Sequence, residues 1–226
     1  MRLLAAGGRA AVWLGSRGII ASKITRLKRR VAFALIDATA DLQPLDHELM
    51  RVALDAKLSS EFGKRGRVLE VRVALERDVR LLHVAVAIER GDLGLAQEEL
   101  ERAHADALAT RVLRIRMRLA QGEVWGSALY DLSQADGVSS PLPEELHDDT
   151  VAQIHLMQGE VASALTCECF PLTRARALAA AGRAEEVTAI IRQAHPSRVG
   201  AMCRLYPEDK ASRIALQLRH GSSPYR

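Results

Sequence analysis

The sequence has no asparagine, only 4% aromatic residues and three cysteines in 226 residues. With few aromatics and few stretches that alternate apolar and polar, there is little from which to build a sheet. Cys167, Cys169 and Cys203 are too few and odd in number to form a disulfide framework in a chain this long, which suits a reducing compartment. No apolar run approaches the ~20 residues that a bilayer-crossing helix needs. The early stretch AAVWLG is far too short, and Arg9 interrupts any secretory h-region. Catalytic signatures are missing as well. There is no GxGxxG, GxSxG or HExxH, and GKRGR at 63–67 lacks the Ser or Thr that ends a phosphate-binding loop. The seven histidines are scattered. The expectation is therefore a chain without catalytic residues, cofactor or metal.

What is present is helix-forming sequence. Ala, Leu, Arg and Glu dominate, with 27 Arg against 5 Lys. Leu108, Val112, Ile115 and Leu119 recur at i, i+4, i+7 and i+11, which is one face of a helix. Arg111, Arg114 and Arg118 flank that face and form a candidate surface for a partner. CEC at 167–169 has the wrong spacing for two ligands on one helix face, so these cysteines read as small buried groups. Glu144, Glu145, Asp148 and Asp149 read as an acidic helix start.

Four segments share a pattern: ERGDLGLAQEELERA from Glu89, AQGEVWGSALYDLSQA from Ala120, MQGEVASALTCECF from Met157 and AAGRAEEVTAIIRQA from Ala180. In each, a helical stretch ends at a glycine (Gly91, Gly122, Gly159 or Gly182) and another begins just after it. A left-handed glycine suits such a helix end, and Asp92, Glu123 and Glu160 suit the next helix start. The unit is an αα-hairpin. Gly followed by an acidic residue and then, five positions after the Gly, by Ala (Ala96, Ala164) resembles tetratricopeptide-like helical repeats. Ala128 comes one position late, Val187 replaces Ala, and the glycine spacings are unequal, so the resemblance is to a degenerate form. It implies an all-α fold of stacked antiparallel helical hairpins, either an α-solenoid or an irregular bundle, and a protein partner.

The formal net charge is +4, yet residues 1–36 hold Arg2, Arg9, Arg17, Lys23, Arg26, Lys28, Arg29 and Arg30 with no acid. The remainder is acidic on balance, so a basic arm at 1–36 is expected to precede a helical-repeat domain at 37–226. As a helix, the arm would align Ile20, Ile24, Leu27, Val31 and Leu35 on one face, with cations beside it. Arg17, Lys23, Arg26, Lys28, Arg29 and Arg30 are then candidates for an anionic membrane surface or, less well, for nucleic acid. A stripe packed on the body and a mitochondrial transit peptide are the other readings of the same residues. WLGSRGIIASKITRLKRR also resembles the basic helices that flank bacterial glycosyltransferases of cell-surface polysaccharide assembly, which implies an accessory or enzyme of that process as an alternative. The main expectation is a non-enzymatic scaffold or adaptor that binds a protein partner in the cytoplasm, peripheral to the inner membrane in one version.

Overall fold

The structure is a computed structural model and describes residues 22–61, 67–103, 108–123, 125–134 and 142–221. Among the described residues the chain is all helix and no strand. The first helix, α1, covers 22–36. It is followed by α2 (Gln43–Glu61), α3 (Arg67–Glu89), α4 (Leu93–Arg102), α5 (Leu108–Ala120), α6 (Ala128–Ser133), α7 (Glu144–Met157), α8 (Val161–Thr166), α9 (Pro171–Ala180), α10 (Ala184–Gln193), α11 (Pro196–Leu205) and α12 (Lys210–Gly221).

Local sequence accounts for the joints. Gly91, Gly122, Gly159 and Gly182 all have φ between +73° and +80°. Each ends its helix in the same way: the glycine N–H donates three residues back, and the next N–H donates five residues back, as in Asp92 N to Ala87 O and Glu160 N to His155 O. Asp92 then caps α4, its Oδ1 accepting from Leu95 N at 3.1 Å. Glu123 and Glu160 behave differently, turning back to Arg118 and His155 instead of capping. Pro171 and Pro196 open α9 and α11, where a missing N–H costs nothing.

The residue five or six after each glycine (Ala96, Ala128, Ala164, Val187) is buried. A small side chain there lets the second helix of a hairpin lie close to the first. The inner helices pack in succession, α3 on α5, α5 on α7 and α7 on α9, and α11 returns to α3. Helices α4, α6, α8 and α10 each lie against the inner helix that precedes them.

Helix α1 is part of this body. Leu27, Val31 and Leu35 are buried in the main core cluster, with Ile24 packed against it. Arg198 of α11 donates to the Ala34, Leu35 and Asp37 carbonyls at 2.9–3.1 Å, filling the acceptors left open at the end of α1. His195 N donates to Ala38 O at 2.7 Å. The apolar stripe expected to be available to a membrane therefore faces inward from Ile24 to Leu35, and a boundary at 36/37 cuts through a packed unit. Arg17 and Ile20 lie outside the described residues, as do 63–66 of the GKRGR turn and the final SSPYR.

Candidate functional site

Two sets of charged residues stand out, one inside the body and one on its surface. The inner set comes from successive inner helices. Arg116 of α5 is buried, and its Nη1 donates to Asp149 Oδ2 at 2.8 Å, Thr150 Oγ1 at 3.0 Å and Leu146 O at 3.4 Å, while Nη2 pairs with Glu89 of α3. Glu89 and Asp149 together hold the Arg116 guanidinium in its charged form against the effect of burial. Asp149 Oδ1 accepts from Phe170 N at 2.8 Å, and its Oδ2 accepts from Gln153 Nε2 at 2.9 Å. Arg176 of α9 lies over the Tyr206 ring at 3.3 Å and donates to Asp209 at 2.5 Å. Burial raises the Tyr206 hydroxyl above its ordinary value, and that hydroxyl donates to Gln153 Oε1 at 3.2 Å. A cavity of about 20 Å³ lined by Glu89, Gln153, Thr173, Arg176, Arg198 and Tyr206 sits at the meeting point. It has room for about one water molecule, not for a substrate.

A second buried cluster ties α2, α3 and α4 together. Asp46 Oδ1 accepts from His83 Nε2 at 2.9 Å, and the carboxylate also pairs with Arg90. His83, whose Nδ1 lies 3.9 Å away, together with Arg80 and Arg102, holds the Glu99 carboxyl down to about 2. Every carboxylate in these clusters already has a cationic or hydrogen-bonding partner. They lock helices together and leave no free acid or base beside an open cavity.

The cysteines are equally quiet. All three are free and half-buried. Burial and the nearby Asp149 raise the Cys169 thiol to about 11, so it is protonated near neutral pH. Among the described residues no group of three or more His, Cys, Asp or Glu is placed to hold a metal ion. No described helix is long and apolar enough to cross a membrane.

The surface set lies on α1. Ser22, Arg26, Arg29 and Phe33 follow one another at i, i+4, i+7 and i+11 on the side opposite Leu27, Val31 and Leu35. All four are exposed, Phe33 to 72%. Between this face and the start of α2 is a groove of about 780 Å³, lined by Thr25, Arg26, Arg29, Arg30, Phe33, Pro44 and Leu45, among others. Arg30 pairs with Glu48 of α2 at 2.5 Å. Arg26 and Arg29 have no such partner among the described residues. Lys23 is exposed near the start of the helix, and Lys28 is half-buried and engaged. Of the candidate cations, the fold thus gathers Arg26, Arg29 and Arg30 at one groove.

Arg111, Arg114 and Arg118 are all exposed on α5. Arg118 is held by Glu123 at 2.6 Å and stacks 3.9 Å over Trp125. Arg111 reaches the Gln134 carbonyl at 3.5 Å. Arg114 borders a groove of about 270 Å³ between α4 and α5, with Gln97, Glu101 and Gln121. Two of the three are thus engaged within the chain. Sequence reasoning missed Arg116 and Arg198. Arg116 carried a signal, since it lies four residues after Val112 and so falls on the apolar face of its helix.

No family model, curated protein or solved structure matches the chain.

Proposed function

We propose that the chain is a non-enzymatic helical scaffold that holds a protein partner against the outer face of α1. Tetratricopeptide-like stacking of its hairpins gives the rigid support for that face. One observation carries the reading: Phe33 stands exposed between Arg26, Arg29 and the α1–α2 groove, whereas the arginines of the interior are neutralised by carboxylates and carbonyls of the chain itself. Aromatic and arginine side chains are the types enriched at protein interfaces. Further exposed apolar side chains stand on α1 to α3, namely Ile36, Met50, Leu54 and Val73. Terminal hairpins of a helical stack ordinarily carry a polar outer face, so exposed apolar side chains set among cations at this end support a covering partner.

The test is site-specific photo-crosslinking in the source cells. A photoreactive residue placed at Phe33 should give a discrete adduct, and one placed at the exposed Leu216 of α12 should not. No adduct from position 33, or the same adducts from both positions, would overturn the proposal.

A second reading is attachment of α1 to an anionic membrane surface, supported by the outward Lys23, Arg26 and Arg29. With Leu27, Val31 and Leu35 in the core, Phe33 and Ile36 are the apolar groups left on the outer side of this helix. Such attachment would rest on charge, at about 1 kcal/mol per basic residue, and would vanish in high salt.

A further inference from the structure

We infer that the α1–α2 groove takes an acidic amphipathic segment of a partner protein, with carboxylates on Arg26 and Arg29 and an apolar side chain against Phe33, Pro44 and Leu45. This rests on the scaffold reading above and adds the chemistry of the partner.

The charge argument is local. Residues 22–36 hold Lys23, Arg26, Lys28, Arg29 and Arg30 and no acid. Two acids lie by the groove: Glu48 is paired with Arg30, and Asp41, in the lining, accepts from the Gln43 N–H at 3.0 Å and sets one negative charge against the three arginines there. Arg26 and Arg29 are one helical turn apart on one face, a spacing that two carboxylates on a facing helix can match. Planar guanidinium groups suit carboxylates in particular. The floor adds a second requirement. Phe33, Ala34, Pro44 and Leu45 line it, and its volume lies within the range of pockets that enclose ligand groups.

These two features select among occupants. A second copy meeting this face across a two-fold axis would set like-charged stripes against each other. The chain's own first 21 residues carry Arg2, Arg9 and Arg17 and no acid, so their charge is also of the wrong sign. A nucleic-acid backbone would use the cations and leave the apolar floor unfilled. A membrane would need the apolar stripe that α1 has turned into the core. An acidic segment with one apolar anchor uses both features.

The experiment uses the full chain and three fluorescent peptides, each about four helical turns long. One carries glutamates one turn apart with leucines beside them. The second has the same charge with its leucines replaced by serine. The third has lysine for glutamate. Anisotropy should show the first bound, the second weaker by about tenfold or more, and the third unbound. Arg26→Glu with Arg29→Glu should abolish binding of the first, and Phe33→Ser should weaken it about tenfold. Arg114→Glu should leave it unchanged. These residues are exposed, so the variants should fold, as circular dichroism would verify. Arg26→Gln with Arg29→Gln is the milder pair should the reversal perturb α1.

Equal binding of the two acidic peptides, or binding that survives the paired charge reversal, would overturn the inference. So would a Phe33-dependent dimer in sedimentation, or sedimentation with phosphatidylglycerol vesicles that the charge reversal abolishes while no peptide binds. A crosslinked partner at Phe33 together with peptide failure would sink the acidic chemistry and leave the scaffold reading standing, so the two can fail separately.

Discussion

Leu35 decides whether α1 is an arm or part of the body. It is fully buried, and its own carbonyl is one of the three that Arg198 holds. Leu35→Ala removes three carbons from a packed site. Truncations of this kind cost about 2–5 kcal/mol, depending on how far the cavity collapses. Collapse is restrained here, because the α1 backbone at that turn is pinned by Arg198 and by the His195–Ala38 hydrogen bond. A loss of about 3 kcal/mol is expected, which in a chain of this size lowers the thermal midpoint by roughly 6–12 °C. The assay is calorimetry or urea denaturation of the full chain, repeated with Arg198→Met. The two substitutions act on the same turn, so together they should cost less than their sum. Arg26→Glu with Arg29→Glu, on the outer face, should change stability by no more than about 0.5 kcal/mol. If Leu35→Ala were as mild as that surface pair, α1 would be a detachable arm and the packing argument would be wrong.

Three other outcomes test the interior and the turns. Arg116→Met removes the cation that faces buried Asp149 and half-buried Glu89 and should cost about 3–5 kcal/mol in urea unfolding; a loss below about 1 kcal/mol would mean that the remaining hydrogen bonds to the carboxylates suffice. Because the folded Glu99 carboxyl is held at about 2, below its ordinary 4.5, its contribution is present above the higher value and fades as pH falls toward the lower. Glu99→Gln should therefore flatten the acid limb of a stability–pH curve across that window, and an unchanged limb would remove Glu99 as its source. Gly159→Ala meets open space and should lose only the left-handed backbone term, about 1–2 kcal/mol. Gly91→Ala should lose a similar amount, because its Cβ would lie 3.4–3.5 Å from Arg204 and Ala201, at ordinary contact distance.

What was readable in the sequence is what depends on nearby residues. A glycine that ends a helix needs only its own left-handed conformation and hydrogen bonds to the preceding turn, so Gly91, Gly122, Gly159 and Gly182 carry the signal by themselves. The apolar stripe of α1 was equally visible. Its destination was not, because a stripe of Ile, Leu and Val has the same pattern whether it meets lipid or other helices. Leu42, just before α2, and Leu45 and Leu49 of α2 lie in the same core cluster. Arg198 shows the limit most clearly. It holds carbonyls more than 160 residues away; its place four residues before Met202 puts it on the apolar face of α11, but nothing in the sequence names the carbonyls it meets. The groove falls between these cases. Its cations are plain in the sequence, and its apolar side depends on how α2 turns back beside α1.

Arg26 and Arg116 are the same residue type with opposite fates, and the contrast explains where function can reside. Arg116 meets Glu89 and Asp149 from two other helices, so its charge is answered within the fold and its energy goes into fixing how α3, α5 and α7 meet. The same holds for Arg80 with Glu76 and Glu99, and for Arg176 with Asp209. A buried guanidinium requires such partners, because an unanswered charge in the interior costs several kcal/mol. On the outer face of α1 water answers Arg26 and Arg29 at little cost, so the fold need not supply a carboxylate. That leaves the groove open to one supplied from outside. Solvated arginines beside an exposed Phe33 gain from a partner in two ways, through charge and through removal of apolar surface from water. The interior clusters have no comparable gain left to make, and on this physical ground the contact surface we propose lies on α1 and not along the inner helices.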